Sequence, residues 1–132
     1  MEKSVTIASK IENLRVIEKV VDEVASSFKI ADDIYGNVMV AALEAVNNAI
    51  VHGNKMDEKK FVNVKILLVG NELHIIVKDQ GKGFDYQHIP DPTAPENIEN
   101  ISGRGVFLMT KLSDKLIFED NGSKAELVFN LK

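Results

Sequence analysis

Three stretches of the chain combine carboxylates, carboxamides and glycines at spacings suited to phosphate chemistry. The first is Asn37-Val-Met-Val-Ala-Ala-Leu-Glu44-Ala-Val-Asn47-Asn48-Ala-Ile-Val-His52, too apolar for an ordinary surface helix yet carrying a set of polar residues. At about 100° per residue, Asn48 lies about 40° from Glu44, Asn47 about 60° on the other side and Asn37 about 20° away. The polar groups therefore share one stripe. Such a stripe is either a plain solvent face or a ligand set. Solvent faces are normally filled by Lys, Glu, Arg and Gln, whereas adjacent mid-helix asparagines carry a propensity cost. A carboxylate one turn from a carboxamide is also rich in oxygen. That suits Mg²⁺, which keeps several waters and takes few protein ligands alongside substrate phosphates.

The second stretch, Lys78-Asp79-Gln80-Gly81-Lys82-Gly83-Phe84-Asp85, falls where a strand pattern ends. Its glycines allow positive φ and close backbone approach, or simply a turn. The third, Ser102-Gly103-Arg104-Gly105-Val106, opens a helical pattern. Free amide N–H groups and the macrodipole at a helix start attract phosphate. Neither the dinucleotide fingerprint nor the P-loop pattern occurs, since Leu108 stands where a third glycine would be needed.

The elements that must position these residues are legible in the periodicity. Ser9 and Glu12 form a capping-box pattern ahead of Ile11, Leu14, Ile17, Val21, Val24 and Phe28, which predicts a first helix. A second is expected from Asp32 or Asp33 to His52, stopping at Gly53-Asn54. Phe61 to Val69 and Leu73 to Val77 read as strands joined at Gly70-Asn71, and Lys115 to Phe118 and Ala125 to Leu131 as strands joined across Asn121-Gly122. Gly105 to Leu112 suits a short helix, and Ser4 to Ala8 a further strand. Tyr86 to Asn100 holds all the prolines and reads as a long loop. The expected class is α+β: two layers, with helices on one face of a largely antiparallel sheet.

Composition limits the alternatives. The 132 residues are 45% hydrophobic, enough for one core in a single domain spanning 1–132. The absence of cysteine excludes disulfides, zinc–cysteine sites and thiol catalysis. A net charge of −4 argues against direct nucleic-acid binding. No apolar run of membrane-spanning length and no signal-peptide pattern is evident, so a cytoplasmic protein with no membrane partner is expected. His52, His74 and His88 are scattered over separate elements and do not suggest a metal site.

In order and spacing, Glu44-x-x-x-Asn48, Asp79-x-Gly81-x-Gly83 and Gly103-x-Gly105 together resemble the GHKL ATP-binding fold of gyrases, heat-shock chaperones, histidine kinases and MutL-like proteins. Within that group the chain from Ser4 to Lys132 is similar to the bacterial anti-sigma factor serine kinases. Glu44-Ala-Val-Asn-Asn-Ala-Ile-Val-His52-Gly53 and Gly103-Arg-Gly-Val-Phe-Leu-Met109 carry that closer likeness.

The resemblance implies ATP and Mg²⁺ as cofactors. It implies that Asn48 coordinates the metal, with Asn47 beside it in the nucleotide site, and that Glu44 is the general base for a substrate serine. Asp79 would accept a hydrogen bond from the adenine amine, with Gly81 and Gly83 close to the base. Gly103, Arg104 and Gly105 would meet the phosphates, and residues 84–102 would form an ATP lid. Ser123 is either a nucleotide contact or a turn residue. The implied partners are a STAS-type anti-anti-sigma protein as phosphoacceptor, a sigma factor, and a second copy in a homodimer. Two other readings remain open: an ATP-dependent binding module without kinase activity, and a detached histidine-kinase-like ATPase domain.

Overall fold

The computed structural model describes residues 2–82 and 101–131, with the side chains of 101–103 outside the description. Gly83, the proline-containing loop and the greater part of the expected lid lie outside the described residues. The elements are β1 (Glu2–Ala8), α1 (Leu14–Ser27), α2 (Asp32–Asn48), β2 (Phe61–Val69), β3 (Glu72–Lys78), α3 (Ile101–Leu112), β4 (Lys115–Glu119) and β5 (Lys124–Asn130). The strands form one antiparallel sheet in the order β1-β2-β3-β5-β4. The architecture is the expected α+β class.

Alternation along the strands decides which face the helices cover. Val62, Val64 and Ile66, Leu73, Ile75 and Val77, and Ala125, Leu127 and Phe129 are buried on one side. Asn63, Lys65, His74, Lys78, Lys124 and Glu126 take the intervening positions, on the opposite face. Ile17, Val20, Val21 and Val24 of α1 and Val106 and Met109 of α3 complete the core.

The apolar character of α2 follows from its position. It packs against α1, α3 and the sheet, and Ala41, Ala42 and Ala45 are almost fully buried there, small enough for close approach on several sides. Asp32–Gly53 is long and apolar enough by composition to cross a membrane, against the expectation that no such stretch occurs. Its Val38, Val46 and Ile50 lie in the core.

Two helix starts differ from the sequence reading. Ser9 caps nothing: its hydroxyl donates to the Lys60 carbonyl at 2.8 Å, and the chain first makes a 3₁₀ turn over Ile11–Asn13 before α1 begins at Leu14. Ile11 accordingly remains 38% exposed. The short helix expected from Gly105 begins at Ile101 instead, so Ile101 and Ser102, counted with the lid, open α3. The turns followed expectation: Gly70 has φ +60° between β2 and β3, and Asn121 and Gly122 have φ +60° and +95° between β4 and β5.

Candidate functional site

Helix α2 does not end as a regular α-helix. Ala49–Gly53 form a π turn in which Asn54 N–H reaches back to the Ala49 carbonyl at 2.8 Å. Such widened turns often occur at functional sites. This one brings Gly53 against the segment after β3. A side-chain carbon on Gly53 would lie 2.3 Å from Asp79 Oδ2, and one on Gly81 would lie 2.0 Å from the Gly53 carbonyl oxygen. Both glycines are thus required by contacts within the chain, a reason for Gly81 that the sequence reading did not anticipate.

Asp79 is 8% exposed. Its Oδ1 accepts the Gly81 N–H at 2.8 Å, and its own N–H donates to the Ser123 carbonyl at 2.9 Å. Burial pushes its carboxyl pKa up, opposed by the Gly81 hydrogen bond and by the charges of Lys60 and Lys78. A carboxylate held this way is a fixed acceptor in a dry place.

Asn48, Asp79 and Ser123 line one narrow cleft, walled by Ala45, Ala49, Val77, Met109, Phe118 and Ala125. Apolar walls with a few convergent polar groups have the chemistry of a ring-binding site, but the free space between them is only about 10 Å³, about enough for one water, so a base enters only as these walls part. Glu44 stands one turn before Asn48 on α2, and a side-chain carbon on Gly105 would lie 3.2 Å from its Oε2. Segments far apart in sequence therefore meet here. Among the described residues no group of three or more His, Cys, Asp and Glu side chains could hold a metal. Asn48 beside Glu44 instead fits a Mg²⁺ ion held chiefly by phosphates and water.

Other expected residues take distinct positions. Asn47 is half-buried on α2 and Arg104 is exposed on α3. Gly103 lies in the first turn of α3, where backbone N–H groups have no intrahelical acceptor, whereas Gly105, two residues further in, lies past that turn. The Ser123 hydroxyl donates to the Asp120 carbonyl at 2.9 Å, holding the β4–β5 turn.

Asn54 was not singled out from sequence beyond its place after Gly53. It is fully buried. Its Nδ2 donates to Ser9 Oγ at 2.8 Å and to the Phe61 carbonyl at 3.0 Å, while its Oδ1 accepts the Gln80 N–H at 2.7 Å. One side chain therefore ties the end of β1, the start of β2 and the Asp79–Gly81 segment together. His52, in the same π turn, has a buried Nε2 with no hydrogen-bond partner among the described residues, and burial holds its pKa below the usual histidine value, with Lys55 adding to the effect.

The family model for the histidine kinase-like ATPase domain matches residues 7–129. The chain belongs to that ATPase family. Its similarity to an anti-sigma F factor of Geobacillus stearothermophilus is 33% identity over 90 residues, covering 65% of this chain and 60% of that one. The serine-protein kinase RsbW of Bacillus licheniformis is 32% identical over 114 residues, covering 82% of this chain and 71% of that protein. This ATPase-family chain thus spans about 60% of the anti-sigma F factor it matches. The crystal structure of the RsbU and RsbW domains of a Mycobacterium tuberculosis protein superposes with a TM-score of 0.67 at 18% identity, covering 99% of this chain and 32% of that one. At that identity the likeness speaks for the fold, in agreement with the GHKL expectation.

Proposed function

We propose that the chain is an anti-sigma factor that uses Mg-ATP to phosphorylate a serine of a STAS-type anti-anti-sigma protein, in competition with an RNA polymerase sigma factor. The observation that carries this reading is the position of Glu44, close to Gly105 and one turn from the cleft shared by Asn48 and Asp79. The names of the relatives, anti-sigma F factor and serine-protein kinase, point the same way.

In this reading adenine enters the cleft with its exocyclic amine donating to Asp79 Oδ2, the oxygen left over when Oδ1 accepts from Gly81. Gly81 and Gly83 line the base, and Asn47 and Ser123 lie at the edge of the nucleotide. Gly103 and Arg104 at the start of α3 face the phosphates, with Gly105 leaving Glu44 room to act. Asn48 holds Mg²⁺, which when bound neutralises charge on the transferred group. Glu44 accepts the serine proton as the hydroxyl oxygen forms its bond to the γ-phosphorus and the bond to ADP breaks. The lid expected over residues 84–102 belongs to the same reading; all of it ahead of α3 lies outside the described residues. Residues 1–132 act as one domain, in a cytoplasmic homodimer.

Incubation with γ-labelled ATP and STAS-domain proteins encoded beside it tests the reading. Phosphoserine on one of them is expected. ATP-dependent binding of a STAS protein without label transfer would replace the kinase with a nucleotide-dependent binding module.

A further inference from the structure

Gly36 lies in the second turn of α2, and the described residues give it no packing reason to be glycine. It is exposed, its φ is not among the positive ones, and among the described residues, apart from the helix's own backbone, nothing lies within 4 Å of where a side-chain carbon would stand. Glycine there weakens a helix relative to alanine. Among the described residues nothing offsets that cost.

One turn on, Val40 is 42% exposed, and one turn further stands Glu44. Viewed down the axis, Val40 lies about 40° and Gly36 about 80° from Glu44, so the three form a ridge about 12 Å long that ends at the carboxylate. The far end of the ridge is acidic. Asp32 and Asp33 are exposed in the first turn of α2. The neighbouring Tyr35 hydroxyl donates to Asp22 of α1, and Glu18 lies close enough to act on the same hydroxyl. A bare backbone, an exposed valine and an acidic approach thus lead to one carboxylate.

We propose that this ridge seats the phosphoacceptor. The serine-bearing segment of the STAS protein lies along α2, with its main chain against Gly36, an apolar side chain on Val40 and basic residues facing Glu18, Asp22, Asp32 and Asp33. Its hydroxyl is thereby delivered to Glu44. The inference rests on the kinase reading for the identity of the occupant. It adds the surface that selects that occupant and the charge the occupant must carry. Gly36 and Val40 act in docking and touch no reacting atom.

The test measures surface plasmon resonance binding of STAS-domain proteins encoded beside this chain, with Mg²⁺ and a non-hydrolysable ATP analogue present. Gly36→Ala and Val40→Gln are compared with wild type, and calorimetric ATP affinity and melting temperature are recorded alongside. Gly36→Ala is expected to melt about 3–5 °C higher, to keep its ATP affinity, and to bind the STAS protein about tenfold more weakly. Val40→Gln is expected to weaken STAS binding about fivefold with ATP affinity unchanged. Wild-type STAS binding is expected to fall with added salt. Undiminished STAS binding by both variants overturns this inference alone. A lower melting temperature for Gly36→Ala overturns it too, since the glycine would then serve the fold, and so does lost ATP affinity, since part of this chain would then occupy the ridge. A wild type that binds no STAS protein overturns the inference together with the kinase reading.

Discussion

Asp79 and Gly53 are packed so closely that a side-chain carbon on Gly53 would fall 2.4 Å from the Asp79 carboxyl carbon. The end of α2 and the segment after β3 are therefore one structural unit, and the orientation of the candidate adenine acceptor depends on the absence of a side chain across from it. Gly53→Ala is expected to destabilise the fold by about 1–3 kcal/mol, as overpacking does, and to weaken ATP binding at least tenfold because Asp79 must swing away. Urea melts and calorimetry check the two effects. ATP affinity equal to wild type would separate Asp79 from the nucleotide.

Asp79→Asn is expected to do two opposite things. The carboxamide oxygen of the variant still accepts the Gly81 N–H, which turns the carboxamide nitrogen toward the adenine amine, donor against donor, so ATP binding is lost. The fold, however, is relieved of a buried charge. Because burial raises the folded-state pKa of Asp79 above 3.8, its contribution to stability is fully present below that value and is lost as pH rises through the raised pKa. The variant should therefore melt above wild type at pH 7, with the gap closing toward pH 4. Thermal scans across that range provide the check.

The same shift gives ATP binding a pH dependence. Protonated Asp79 no longer offers Oδ2 as a charged acceptor, so affinity should begin to fall while the solution is still above the ordinary aspartate range. Below the raised pKa the fall approaches about tenfold per pH unit. Calorimetric titration with an ATP analogue between pH 4 and 7 measures it. A flat profile would contradict the role given to Oδ2.

Asn54→Ala removes a side chain that satisfies the Gln80 N–H and the Phe61 carbonyl and bonds Ser9. Only the bond to Ser9 is fully buried, while those to Phe61 and Gln80 are part-buried, so a loss of about 1–3 kcal/mol in chemical denaturation is expected. ATP affinity should fall as well, because Gln80 and Gly81 lose their anchor. A variant with wild-type stability would mean that water replaces these bonds.

Much of this arrangement is written in local pattern. The runs at Phe61–Val69 and Leu73–Val77 are rich in β-branched and aliphatic residues, and Gly70 supplies the positive φ that a two-residue hairpin needs. The stripe of Glu44 and Asn48 follows from helical period alone. What the pattern misled on, or did not show, depends on partners distant in sequence. Ser9 has the type and spacing of a cap, but its oxygen bonds Lys60 and Asn54, about fifty residues away. Asn54 looks like an ordinary residue after a terminal glycine, and only tertiary packing reveals what it joins. Gly105 reads as a phosphate-loop glycine, whereas its closest constraint is the Glu44 carboxylate. The π turn at Ala49–Gly53 has no signature separable from an ordinary helix end.

The central claim is that Glu44 removes the proton while the cleft beside it holds the nucleotide, and single-turnover transfer of the ATP γ-phosphate to the STAS acceptor by Glu44→Ala tests it most directly. The account expects Mg-ATP affinity close to wild type with phosphoserine formation slowed by about 10²–10⁴-fold, the usual reach of general-base catalysis. Transfer at the wild-type rate with ATP bound would contradict it.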